Sequence, residues 1–124
     1  MGTLKTLLRM VFGAGSTNPE DEVGPQEALR RLKSAGSPQL VDVRSAEEHQ
    51  QGRIAGSKLI PLPELGDRLG EIDRNKPVLL YCQSGKRSGM ALRLLRERGF
   101  TQAAQISGGI SAWKRDDLPV ETKN

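Results

Sequence analysis

The chain's single cysteine, Cys82, ends an apolar run and is followed by Gln83, Ser84, Gly85, Lys86, Arg87 and Ser88. A thiol acts as a nucleophile through its thiolate, and these neighbours are of types that favour that form. Gly85 permits a tight turn, so consecutive backbone N–H groups can face inward as a nest. A helix opening directly afterwards leaves its first N–H groups without partners, and its dipole favours negative charge. Lys86 and Arg87 add cations. No side-chain base is required, which suits a chain whose one histidine, His49, is distant from Cys82 in sequence. A cysteine that merely ended a buried strand would need neither the turn glycine nor the two cations. The spacing predicts a thiol presented for chemistry in an anion-holding loop.

Such a loop must be carried by a strand before it and a helix after it. Val78, Leu79 and Leu80 within Pro77–Tyr81 predict a central strand buried on both faces. Ser88–Arg98 reads as the following helix, with Ala91, Leu94 and Leu95 inward and Gly99 as its stop. The same alternation extends on either side. Pro25 opens a helix over residues 26–35 with Ala28, Leu29 and Leu32 on one face, and Gln39–Val43 is a buried strand. Ser45 with Glu48 three residues later is a capping-box pattern. Lys58–Ile60 reads as a short strand, Glu64–Ile72 as a helix, Ala103–Ile106 as the last strand and Ile110–Arg115 as the last helix. Alternation with short links predicts an α/β fold, a mostly parallel sheet of about four to five strands with helices on both faces. Right-handed crossovers gather the loops after the strands at one edge, and Cys82 lies there. The expected organisation is an N-terminal amphipathic segment and linker over 1–22, a domain over 23–119 and a tail over 120–124.

Cys82-Gln-Ser-Gly-Lys-Arg-Ser88 resembles the active-site loop of rhodanese-family sulfurtransferases, C-x-x-G-x-R-S/A. Leu40-Val-Asp-Val-Arg44 is similar to the family's first signature strand. The stretch from Glu48-His49 to Ile60-Pro61 is similar to its E-H-x-x-G-H-I-x-G-A-x-N-I-P segment, and Gly108-Gly-Ile-Ser-Ala-Trp113 to its G-G-x-x-A-W. The resemblance covers roughly residues 23–119 as one rhodanese-like domain. It implies transfer of a sulfane sulfur from thiosulfate or a related donor, through a Cys82 persulfide, to a thiol, protein or cyanide acceptor. Gln83 to Ser88 would bind donor and persulfide, with Lys86 meeting the donor's sulfonate. Arg87 could bind donor or pair with a carboxylate; the second role is favoured, with Asp42 as partner and Arg44 supporting the same edge. His49 is expected to be a structural hydrogen-bond former and Trp113 a core residue whose indole N–H needs a partner. Arg53, Ser57 and Leu59 depart from the family pattern, where His, Ala and Asn are frequent.

The rest of the chain narrows the field. A net charge of +4 is spread along the sequence, and the aromatics are Phe12, Tyr81, Phe100 and Trp113 only, which argues against a nucleic-acid groove. One cysteine forms no internal disulfide, and one Cys with one His makes no zinc site, so no metal or cofactor is expected. A reducing cytoplasm is the expected setting. Leu4, Leu7, Leu8, Val11 and Phe12 fall at helical spacing opposite Lys5 and Arg9. Residues 3–12 therefore predict a short helix packing on the domain, on a neighbouring copy or weakly on a membrane surface. Three rival functions stay open: a thiol-based redox sensor, a protein-interaction module and a phosphatase or arsenate reductase. The last group resembles C-x-x-x-x-x-R, and here the interval Gln83–Lys86 is one residue shorter. Two cations in the loop favour a small dianionic donor.

Overall fold

In the computed structural model, which describes residues 21–122, strands and helices alternate as the apolar pattern requires. In chain order they are β1 (Glu22–Val23), α1 (Pro25–Lys33), β2 (Gln39–Asp42), α2 (Ala46–Gln51), β3 (Lys58–Leu59), α3 (Leu62–Leu65) with a 3₁₀ turn (Gly66–Glu71), β4 (Val78–Tyr81), α4 (Lys86–Glu97), β5 (Ala103–Ile106) and α5 (Gly109–Arg115). The five strands form one sheet in the order β1-β5-β4-β2-β3, and every pairing is parallel. The amphipathic stretch 3–12 lies outside the described residues. Among those described, no helix is long and apolar enough to cross a membrane.

Side chains of β4 alternate between two cores, which is the period of two that a strand imposes. Val78, Leu80 and Cys82 enter one core with Ala91, Leu92 and Leu95 of α4, Leu65 of α3 and Phe100. Leu79 and Tyr81 enter the other with Ala28 of α1 and Ile110 and Trp113 of α5. The two-sided burial expected of β4 is thus present. On α4 it is Leu92 rather than Leu94 that is fully buried, with Leu94 packed at the margin.

Three elements differ from the sequence reading. Glu22–Val23 pairs with β5 across the expected boundary between linker and domain, because two residues carry too little pattern to mark a strand. The helix expected over Glu64–Ile72 divides into α3 and the 3₁₀ turn, with Arg68 off helical geometry at φ −119°. Gly66 and Gly70 lower the helical preference there, while Arg68 binds Glu64, Glu71 and the Leu59 carbonyl. α4 begins at Lys86, two residues earlier than expected.

The departures in the middle segment find local roles. Arg53 pairs with Glu121 through side chains and in a short antiparallel bridge, tying the chain after α5 to the loop before β3. Ser57 Oγ accepts the Tyr81 hydroxyl at 3.0 Å, and that hydroxyl accepts the Ile54 N–H. Trp113 Nε1–H donates to the Pro119 carbonyl at 2.8 Å, the partner its burial demands.

Candidate active site

β4 delivers Cys82 to the carboxyl edge of the sheet, and Gly85 turns the chain into α4. Gly85 has φ +110°, in the left-handed region that a side chain disfavours, and it occupies the N-cap with no side-chain cap bond. The N–H groups at this helix start are therefore left for another acceptor. They find the Cys82 sulfur, where the Gly85 N–H donates to Sγ at 3.0 Å. Ser88 Oγ lies 3.4 Å from Sγ. Burial pushes the Cys82 thiol up, but the Ser88 hydroxyl and these N–H groups outweigh it and hold the thiol below its ordinary range. The sequence reading has the thiol presented by its loop; in the structure the loop also covers it. Cys82 is only 1% exposed, packed under the loop that binds it.

A second helix start fixes the loop from behind. The Ile110 N–H donates to the Cys82 carbonyl at 2.9 Å and the Ser111 N–H to the Gln83 carbonyl at 3.0 Å. These bonds hold both carbonyls on the α5 side. The approach requires Gly109, where a Cβ would stand 2.5 Å from the Cys82 and Gln83 carbonyl oxygens. Ser111 Oγ also accepts from the Gln83 side chain at 2.9 Å.

Two ion pairs flank the loop, and one of them corrects an expectation. Asp42 does not pair with Arg87. Its carboxylate is held by the Arg44 backbone N–H and guanidinium, with His49 Nδ1 at 2.9 Å. Burial pushes Asp42 up, yet the hydrogen bonds from Arg44 and His49 prevail and keep its carboxyl low. Arg44 also donates to the Gly52 carbonyl at 2.7 Å and reaches Gln83 Oε1 at 3.5 Å. Arg87 projects from α4 to α2, where it grips both oxygens of Glu48 at 2.7 and 2.8 Å. Bonding to Arg87 holds the Glu48 carboxyl at about 2. Asp42 is already held by Arg44 and His49, and Arg87 takes Glu48, which also closes the capping box with Ser45.

Of the residues singled out from sequence, Cys82, Gly85 and Ser88 converge on the sulfur, Gln83 faces α5 and Arg44, and Arg87 faces α2. Ser84 and Lys86 are exposed beside the loop. Asp42 and Arg44 sit one strand away. Sequence reasoning missed Gln105, whose Oε1 lies 2.5 Å from Ser88 Oγ, and the reach of Glu48 to Arg87. Glu48 does close the expected capping box with Ser45, a local signal that concealed its second partner. A small cavity of about 70 Å³ adjoins the loop, lined by Arg44, Glu48, Gln51, Gly52, Gln83 and Lys114. A larger one of about 480 Å³ opens at the other end of the strands, beside Pro77 and Thr101, and holds no thiol. Among the described residues no cluster of acidic, His or Cys side chains could hold a metal ion.

A parallel sheet with a cysteine cradled between β4 and α4 defines a class of protein, and comparison names it: the model of the Rhodanese-like domain matches residues 25–116. The chain belongs to the rhodanese-like domain family. It is 33% identical over 100 residues to a sulfurtransferase of Allochromatium vinosum, covering 81% of this chain and 94% of that protein. It is 45% identical over 75 residues to the uncharacterized protein YqhL of Bacillus subtilis, a match spanning 60% of each. The rhodanese-like domain protein of Staphylococcus aureus superposes with a TM-score of 0.75 at 31% identity, covering 84% of this chain and 99% of that one.

Proposed function

We propose that this protein is a sulfurtransferase that moves a sulfane sulfur from thiosulfate, or a related small anionic donor, through a Cys82 persulfide to a thiol or protein acceptor. The observation that carries the reading is the start of α4 turned to the Cys82 sulfur, with the Gly85 N–H donating at 3.0 Å and Ser88 Oγ at 3.4 Å. Those donors stabilise negative charge on sulfur without a general base, the same logic as an oxyanion hole. The likeness to the Allochromatium vinosum sulfurtransferase supports it.

In the first half-reaction the Cys82 thiolate attacks the outer sulfur of thiosulfate. The donor's S–S bond breaks, its electron pair leaves with sulfite, and Cys82 keeps the transferred sulfur as a persulfide anion. In the second, an acceptor thiolate attacks that terminal sulfur and the electron pair returns to Cys82. No outside oxidant or reductant enters, and the two displacements give ping-pong kinetics. Gln83, Ser84, Gly85, Lys86, Arg87 and Ser88 form the binding loop. Lys86, exposed at the helix start, meets the donor's sulfonate as a mobile point charge. Asp42 and Arg44 brace the loop from β2. A reducing cytoplasm suits the Cys82 thiol.

Intact mass after brief exposure to thiosulfate tests the reading. The wild type gains roughly 32 Da, one sulfur, which cyanide then removes, and Cys82→Ser gains nothing. A folded wild type with a free thiol and no adduct would rule out thiosulfate as donor, and the same assay with persulfides and mercaptopyruvate would decide among the remaining donors.

A further inference from the structure

Ser88 is buried and has one proton to give, yet three acceptors surround its hydroxyl. Cys82 Sγ and the Gly85 carbonyl oxygen each lie 3.4 Å from Ser88 Oγ, and Gln105 Oε1 lies 2.5 Å away. Gln105 is the one polar side chain of β5, in the run Ala103-Ala-Gln-Ile106, and it is 5% exposed. Its amide packs beneath the loop, with Nε2 3.5 Å from where a side chain at position 89 would begin. A buried glutamine in an otherwise apolar strand needs partners, and here its carboxamide oxygen has the serine hydroxyl.

We propose that Gln105 is a positioning residue for the Cys82 thiol: its carboxamide oxygen competes with the sulfur for the single proton of Ser88. With that proton on Gln105, the serine oxygen turns lone pairs to the sulfur and accepts from the S–H, which favours the thiol. When the thiolate or the persulfide anion forms, the Ser88 proton must swing from Gln105 to sulfur. Gln105 thus sets how much of the Ser88 hydrogen bond the sulfur receives. Since thiolate fraction and intrinsic nucleophilicity run in opposite directions, such a brake poises the sulfur between attacking the donor and leaving from the persulfide.

Other charged and titratable groups stand on the elements around the site, and the variants leave them in place. Lys86 and Arg87 stand on the first turn of α4, Asp42 and Arg44 at the end of β2, and Glu48 and His49 on α2. Tyr81 lies on β4, and α5 brings Lys114 to the cavity beside Arg44 and Gln83. β5 contributes Gln105 and nothing ionisable.

The inference deepens the sulfurtransferase reading but needs only a reactive Cys82 for its test. Alkylation by iodoacetamide, followed against pH, reads the thiolate with no sulfur donor present. A protein that takes no sulfur from thiosulfate would therefore count against the proposed reaction and leave this test intact. Gln105→Met keeps the volume and removes the acceptor, so the midpoint of alkylation falls by about half a unit; Gln105→Glu keeps an acceptor that only accepts, so the midpoint rises by about one unit or more. In a Ser88→Ala background the Met shift disappears and the Glu shift shrinks to its through-space part. Shifts of the same sign, no shift in either variant, or a Met shift that persists in full without Ser88 would overturn the proposal.

Discussion

The two arginine–carboxylate pairs beside the Cys82 loop look alike on paper and differ in what surrounds them. Arg44 and Asp42 are 3% and 0% exposed, and the carboxylate has a backbone N–H, a guanidinium and an imidazole around it. Arg87 and Glu48 are 37% and 31% exposed, with better two-point geometry and less protein around them. A buried pair has already surrendered its hydration, so each partner depends on the other. A half-exposed pair keeps water as an alternative partner and adds little to folding. The difference separates the pairs: the inner one is enclosed at the end of β2, where Arg44 reaches Gln83 Oε1 at 3.5 Å, and the outer one joins α4 to α2 in reach of water.

Removing one inner partner gives the largest expected effect. Asp42→Ala strands the Arg44 guanidinium in the interior, with the Gly52 carbonyl as its main remaining partner, and should lower stability by about 3–5 kcal/mol in urea unfolding. A loss under ~1 kcal/mol would mean that the inner pair is no more structural than the outer one. Gly109→Ala comes next. It sets a methyl against the Cys82 and Gln83 carbonyls at a φ of +63°, so α5 must retreat from the loop. The expected cost is about 1–3 kcal/mol from overpacking and strain, with loss of sulfur transfer beyond what stability explains. Gly56→Ala is the control, because φ there is +84° but nothing lies within 4 Å of the added carbon.

Local patterns in the sequence carry the frame of this comparison and none of its pairings. The apolar run before Cys82, the capping box at Ser45 and the glycine at 85 each act within a few residues, and each is where the pattern requires it. The Cys82 loop is legible for the same reason: its donors are backbone groups next to the thiol. Arg87 and Glu48 are far apart in the chain, and their meeting depends on how α4 and α2 pack across the sheet edge. The family resemblance points to Asp42 as the carboxylate for Arg87. Only the fold shows that Arg44 and His49 reach Asp42 first. Gln105 was invisible for a related reason: one polar residue in a short apolar strand gives no period, and its importance comes from the serine it faces.

Arg87→Gln should unfold within about 1 kcal/mol of the wild type at pH 7, and Glu48→Gln likewise. Their use lies in acid. Glu48 is held at about 2 in the folded protein, chiefly by Arg87, against 4.5 when free. Above 4.5 both folded and unfolded chains carry the carboxylate, and the pair's contribution is complete. As pH falls from 4.5 toward 2 the unfolded chain takes up a proton that the folded one refuses, so stability drops over that window. Asp42 contributes a loss of the same sign, because its carboxyl is also held low. The separation comes from a difference measurement: the gap between wild type and Glu48→Gln should narrow as pH falls from 4.5 toward 2. The drop due to Asp42 should persist in both proteins. If the gap stays constant through that window, Glu48 is not titrating with Arg87 as its partner, and the tether between α4 and α2 must be credited to packing instead.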